Sequence, residues 1–201
     1  MRYQSAFCAA LFFGVATSAS GQAAAPGAMQ VAPSGRGTSQ VTLTLVDSVA
    51  RAAAKPAIIK IDYGQPHLRG RQLLTDSLVP YDKLWRLGAN DATTLTTDVD
   101  LVLGGKTLAK GKYDLQVMPS RAGWKLIVQK EGSRAALPFG TEMKPDPAKD
   151  VAHIDLRHTT ASAPVEGLTM WIIPARGPGN PAGQLVISWG VVSLATDWAI
   201  K

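Results

Sequence analysis

The sequence predicts an all-β domain, built as an antiparallel β-sandwich or a partly closed barrel. Short segments alternate apolar and polar residues with a period of two, as in residues 41–47, and this period is typical of half-buried strands. Turn residues such as Gly104-Gly105 separate these segments at short intervals. No long stretch has the helical period, so packed strands must form the core.

The strand pattern recurs through most of the chain. Strands are predicted at residues 41–47, 57–63, 93–98, 99–103, 113–118, 124–129, 151–157, 167–173 and 184–192, with a long irregular segment at 131–150. One short helix is predicted near residues 80–87, because Pro80 suits a first helical turn and Gly88 suits a helix end. Residues 47–55 could form a helical turn or a loop between strands.

The N-terminus has the features of an export signal. Arg2 precedes an apolar run at residues 7–16, and small residues follow, with cleavage expected after Ser20 or Ala23. We therefore predict a signal peptide at residues 1–23 and a periplasmic or secreted protein. A disordered Pro/Gly/Ala-rich tether is predicted at 24–40 and a single β domain at 41–201.

Cysteine usage and charge exclude several classes. Cys8 is the only cysteine, so the mature chain can form no disulfide and has no thiol nucleophile, which favours a bacterial periplasm. The net charge is +6, but Lys and Arg are scattered, so nucleic-acid binding is not expected. No later segment is apolar enough to span a bilayer, so no stable membrane insertion is expected after signal cleavage.

Cofactor motifs are incomplete. The run Gly104-Gly105-Lys106-Thr107 ends like a phosphate-binding loop, but Asp100 stands where the motif needs its earlier glycine. A hairpin turn explains the run better, and we predict no cofactor. His153 and Asp155 would share one strand face, yet a zinc site needs three or four ligands, so no metal site is predicted.

Two irregular segments carry the candidate site. His67 lies beside Arg69 and Arg71 in a loop shaped by proline and glycine, where the arginines could bind an anion or form a solvated basic turn. In the second segment Trp85 either packs in the core or stacks on a ligand, and Arg86 could pair with Asp82 or Asp91. Asn90 and Asp91 can fix turns as readily as they bind ligands.

The two segments together resemble a bacterial family, DUF2911. The resemblance is carried by Tyr63, Pro66, Arg69-Gly70-Arg71, the LVPY run at 78–81, Lys83, Trp85-Arg86, Gly88-Ala89-Asn90, Ala92-Thr93-Thr94, Gly104-Gly105-Lys106, Lys110 to Tyr113, Pro119, Trp124 and Trp189. It implies an exported, mostly β domain with no assigned activity. Gln65, Asp82 and Gly190 depart from the family pattern.

The predicted function is that of a ligand-binding or structural module in the periplasm or cell envelope. The candidate ligand-binding residues are His67, Arg69, Arg71, Trp85, Arg86, Asn90 and Asp91, and the expected ligand is a small anion or a carbohydrate. The alternative is a hydrolase in which His67 is the general base and Asp91 or Asp82 orients it. A third interpretation makes both segments structural supports of the sandwich.

Overall fold

The fold is known from a computed structural model, which describes residues 27, 29–75, 78–132, 146–177 and 179–201. The described strands are β1 (Ser34–Leu43), β2 (Ala57–Pro66), β3 (Thr93–Thr97), β4 (Leu101–Leu103), β5 (Lys106–Leu108), β6 (Gly111–Ser120), β7 (Gly123–Lys130), β8 (Asp150–Pro174) and β9 (Ala182–Ile200). A helix, α1 (Ser48–Ala53), and a 3-10 turn (Pro147–Lys149) complete the elements. The predicted all-β antiparallel class is confirmed.

The nine strands form one open sheet in the order β1-β2-β3-β6-β7-β8-β9-β4-β5, and neighbouring strands are antiparallel. The small hairpin of β4 and β5 pairs with β9 and stands at the end of the strand order, although short connections at residues 98–100 and 109–110 join it to β3 and β6. This crossover brings residues from the middle of the chain beside the C-terminus.

Strands β8 and β9 are long because each runs through both halves of the folded sheet. Their register is interrupted between Thr160 and Thr169, and Gly190 opposite has φ +58°. Irregular register and a glycine bend are how a strand turns a corner between two packed layers. Beyond this corner β8 lies against β1 and β2, where the Ile172 N–H donates to Ser39 Oγ (2.9 Å) and the Met170 N–H to the Tyr63 hydroxyl (3.1 Å).

The core lies between the two halves and follows the period-two pattern of the sequence. The fully buried side chains include Ile59, Ile61, Leu115, Leu126, Ile154, Leu168 and Leu194, which come from strands on both sides of the corner. Alternate residues of each strand therefore reach one continuous apolar core.

Three local predictions need correction or refinement. Residues 80–87 form turns and one bridge instead of the predicted helix, because Trp85 pairs through its backbone with Val117 at the end of β6. Strand β1 begins at Ser34, so residues 34–40 pair with β2 and do not belong to a tether. The helical alternative for residues 47–55 is realised as α1, whose N-cap Asp47 accepts a hydrogen bond from the Ala50 N–H (2.7 Å).

The residues from Ala32 to Lys201 form one compact unit. The predicted signal peptide lies outside the described residues. In the part of the chain that the structure describes, no helix is long and apolar enough to cross a membrane.

Candidate functional site

The loop after β2 is held by its own backbone and by β8. Arg71 donates from Nε to the Leu68 carbonyl (2.9 Å) and from a terminal nitrogen to the His67 carbonyl (2.7 Å). The Leu68 N–H donates to the Glu166 carbonyl (2.9 Å). Arg71 thus stabilises the turn, and these hydrogen bonds use guanidinium donors that an anion would need.

The position expected to attract an anion faces a carboxylate of the protein. The backbone N–H of Arg69 donates to Glu166 Oε1 (2.7 Å), and Arg69 has a left-handed φ of +52°. The His67 ring lies against Gly167, where a β-carbon would stand 3.2 Å from two ring atoms. His67 makes no hydrogen bond to a carboxylate of the described residues.

Trp85 is partly buried and packs against the core. Its ring stacks on Trp189 with 5.7 Å between centroids and an interplanar angle of 17°. Its backbone exchanges two hydrogen bonds with Val117, each 2.8 Å. The Trp189 indole N–H donates to the Glu166 carbonyl (3.1 Å), so this aromatic pair also fixes the strand that holds the 67–71 loop.

Arg86 follows Trp85 and is half-buried. Burial lowers the pKa of its guanidinium from the ordinary value, because desolvation disfavours the charged form. Its side chain makes no hydrogen bond or ion pair with a described residue, so the expected pairing with Asp82 or Asp91 does not form.

Asn90 and Asp91 lie on the surface at the end of this segment. Asn90 has φ +60°, a conformation that Asn tolerates in turns, and its side-chain amide donates to the Ser34 carbonyl (3.4 Å). The backbone just before it passes so close to β2 that a β-carbon at Gly64 would stand 1.8 Å from the Ala89 carbonyl oxygen. The candidate residues therefore lie in separate places, which include the hydrogen-bonded 67–71 loop, the Trp85–Trp189 pair and a surface turn at Asn90 and Asp91.

A groove is present elsewhere, where the two ends of β9 meet. Its volume is about 570 Å³. We call it the β9-end groove, and it is lined by Val102, Gly105, Ile173, Pro174, Ala175, Ala182, Gly183, Gln184, Asp197, Trp198 and Ala199. The Ile200 N–H donates to the Pro181 carbonyl (3.0 Å), which closes the two ends of the strand on each other.

One end of the groove is polar. Asp197 accepts two hydrogen bonds from Arg157, each 2.8 Å, and a third from the Gln184 amide (3.2 Å). The hydrogen bond from Arg157 lowers the pKa of the Asp197 carboxyl, and the same bond raises the pKa of Arg157. The pair is an internally neutralised charge cluster at the rim.

Trp198 lines the groove, but its indole N–H is buried in the core. The residue is only 3% exposed, and no described residue accepts a hydrogen bond from its indole N–H. A buried N–H without an acceptor costs about 1–3 kcal/mol, so native proteins usually satisfy such groups.

A comparison with protein-family models matches residues 47–197 to a family described as "Protein of unknown function (DUF2911)". The chain belongs to the DUF2911 family. Neither a comparison with curated proteins nor one with solved structures finds a match. The match includes the 67–71 loop and most of the groove lining, so both surfaces belong to the DUF2911 region.

A second cavity of this DUF2911 domain is too small for a ligand. It measures about 10 Å³ and lies beneath the Trp85–Trp189 pair among apolar side chains. A space of that size holds at most one water molecule, and it offers few polar partners. Neither this cavity nor the groove is lined by His67, Arg69, Arg71, Arg86, Asn90 or Asp91.

A chain of polar contacts crosses β6, β7 and β8 of the DUF2911 sheet, and two of its members, Gln116 and Gln129, are buried. His153 Nε2 lies 2.6 Å from Asp150 Oδ2, and Asp150 Oδ1 accepts from the Gln129 amide (2.6 Å). Gln129 Oε1 accepts from the Gln116 amide (2.8 Å). Among the described residues, no cluster of three or more His, Cys, Asp or Glu is placed to hold a metal ion.

Asp197 and Trp198 are absent from the residues selected on sequence. The sequence does indicate that a strand continues through these residues, because the period-two pattern of β9 extends over Val192, Leu194, Trp198 and Ile200. No local pattern, however, shows that Pro181 and Ile200 touch. The groove depends on that contact.

Proposed function

We propose that this DUF2911 domain is a ligand-binding module without catalytic activity, acting in the periplasm or cell envelope, and that its ligand occupies the β9-end groove. The observation that carries the proposal is a groove of about 570 Å³ whose lining is mostly apolar and whose rim carries the fixed polar side chains of Asp197 and Gln184. Binding sites combine an apolar concave surface with a few fixed polar groups, and the groove has this composition.

The groove also has a rigid frame. The Gly104 N–H donates to the Asp197 carbonyl (2.8 Å), and the Ala175 N–H donates to the Ala182 carbonyl (2.8 Å). Both walls are therefore strands or strand ends held by backbone hydrogen bonds. Such preorganisation reduces the entropy lost when a ligand binds.

Action outside the cytoplasm is supported by the sequence. Arg2, the apolar run at 7–16 and the small residues after it have the pattern of an export signal, and the remaining chain contains no cysteine. A soluble binding module that works by shape and polar contacts needs no thiol chemistry.

The hydrolase alternative has weaker support. A general base must be oriented by a partner within hydrogen-bond reach, and His67 has no carboxylate partner among the described residues. The anion surface at residues 67–71 stays a prediction. Glu166 already accepts a hydrogen bond there, so an added anion would meet a like charge.

A thermal-shift experiment tests the proposal. The full chain is screened against neutral oligosaccharides, anionic sugars, peptidoglycan fragments, phosphate and short peptides. A ligand at about 100 times its dissociation constant stabilises by about 2.7 kcal/mol, which raises Tm measurably.

The variant Ala199→Phe fills the groove and should abolish the shift. Ala195→Phe is the matched control, because it changes the same residue type on the same face of β9 outside the groove lining. A shift that persists in Ala199→Phe would place the site elsewhere. If Arg69→Ala removes it instead, the 67–71 loop is the site.

A further inference from the structure

We infer that the ligand of the β9-end groove is an uncharged carbohydrate, such as a neutral sugar unit of an envelope glycan. This inference rests on the proposed function, because it names the ligand class of the same groove. Three features carry it: the charge balance of the rim, the pattern of donors and acceptors, and the absence of an open strand edge in the described lining.

The charge balance disfavours an anion. The lining residues that the structure describes include the carboxylate of Asp197 but no Lys, Arg or His. The nearest guanidinium, Arg157, already gives both of its terminal nitrogens to Asp197. A bound anion would face a carboxylate without a free cation, whereas an uncharged ligand incurs no such repulsion.

The polar groups match hydroxyls. Gln184 retains a second amide N–H as a donor, and Asp197 supplies acceptor oxygens at the rim. Asp197 accepts from the Gln184 amide nitrogen, which leaves the Gln184 carbonyl oxygen as a further acceptor. A sugar hydroxyl both donates and accepts, so neighbouring hydroxyls of one ring can serve this mixed set.

The backbone of the groove does not favour an extended peptide. A peptide usually binds by adding a strand to an exposed sheet edge. Here the N–H groups of Gly104, Ala175 and Ile200 are already bonded to carbonyls across the groove walls. The described lining therefore leaves recognition mainly to side chains.

The floor suits one face of a sugar ring. Val102 and Ile173 are apolar, and small residues such as Ala182 and Ala199 let a ring approach closely. An acyl chain would cover the same floor, but it would desolvate the polar groups of Asp197 and Gln184 at the rim without offering them a hydrogen bond, which is unfavourable. A sugar satisfies the apolar and the polar parts of the groove together.

Calorimetry on the full chain tests the inference. The probes are neutral oligosaccharides of glucose and of N-acetylglucosamine, a uronic acid oligomer of matched length, and an uncharged peptide. A neutral oligosaccharide should bind, and the uronic acid oligomer should bind about tenfold more weakly or not at all, since like charges repel at Asp197.

Two variants test the contacts. Gln184→Leu removes the rim amide and should weaken binding about tenfold, and Ala199→Phe fills the groove and should abolish binding. Gln40→Leu is the matched control, because Gln40 is an exposed residue of β1 outside the groove lining, and it should leave affinity unchanged. The Tm of each variant shows whether it is folded.

The outcomes separate the inference from the proposed function. If the uronic acid oligomer or the peptide binds better and Gln184→Leu weakens it, the carbohydrate inference is wrong and the groove remains a ligand site. If a sugar binds but both groove variants keep full affinity, the groove is not the binding site. If no probe binds at millimolar concentration, both are overturned.

Discussion

At the scale of single residues, Arg69 and Arg71 have different surroundings although only Gly70 separates them. Arg71 donates to two carbonyls of its own loop, whereas the Arg69 side chain makes no hydrogen bond or ion pair with a described residue. From the sequence alone, the two arginines are predicted to serve equally in one anion site. The structure assigns one of them a role in holding the turn.

Arg71→Ala should therefore destabilise the domain, and Arg69→Ala should not. Loss of the Arg71 hydrogen bonds should lower the free energy of unfolding by about 1 kcal/mol, while Arg69→Ala should change it by less than about 0.5 kcal/mol. Urea unfolding at pH 7 measures both values. Equal losses in the two variants would contradict the distinction.

At the scale of elements, the corner in β9 depends on backbone conformation. Gly190 has φ +58°, and a β-carbon there would meet Leu73 at an ordinary distance of 3.5 Å. Space is therefore available for a side chain, but the left-handed conformation is unfavourable for most residues.

Gly190→Ala should lower the free energy of unfolding by about 1 kcal/mol, which is the cost of the left-handed conformation for alanine. Gly190→Asn should cost less, because Asn tolerates this region of φ and ψ. Gly35→Ala serves as the control, since a β-carbon at Gly35 meets nothing within 4 Å. Thermal unfolding of the three variants checks the order, and an Asn variant less stable than the Ala variant would contradict it.

At the scale of the whole molecule, cross-strand ion pairs connect β7, β8 and β9. Lys125 pairs with Asp155, and Arg157 pairs with Asp197. The hydrogen bond from Lys125 lowers the pKa of Asp155, and the one from Arg157 lowers the pKa of Asp197. Both carboxylates are exposed, so each pair contributes modestly and is sensitive to salt.

These pairs predict the direction of acid destabilisation. Because the folded pKa of both carboxyls lies below the ordinary value of 3.8, their stabilisation is present above that pH and is lost as pH falls through the lowered folded pKa. The double variant Asp155→Asn/Asp197→Asn should lose less Tm on acidification below about pH 4 than the unmodified chain. Thermal melts across that range test this.

The double variant and the unmodified chain should lose more similar amounts of Tm on acidification in about 1 M salt, because salt screens exposed charges. Equal pH profiles at low salt for the double variant and the unmodified chain would show that the two pairs do not stabilise the fold. Binding must be measured separately, since Asp197 also lines the groove.

Much of the fold followed from local patterns. The period of two predicted β2, β6 and β7 nearly to their ends, because each of these strands has one face in the core. The same pattern underestimated β8 and β9, whose middles turn a corner and lose the alternation of buried and exposed residues.

The sequence by itself determined the all-β class and the family resemblance, because alternation and turn residues are local properties of the chain. The tertiary structure alone decided that residues 80–87 are not helical, since Trp85 there completes the edge of β6. It also decided the groove, which exists because the crossover of β4 and β5 and the bend in β9 bring Gly105, Gly183 and Trp198 together. Contacts between such distant residues depend on strand order, and no local pattern encodes that order.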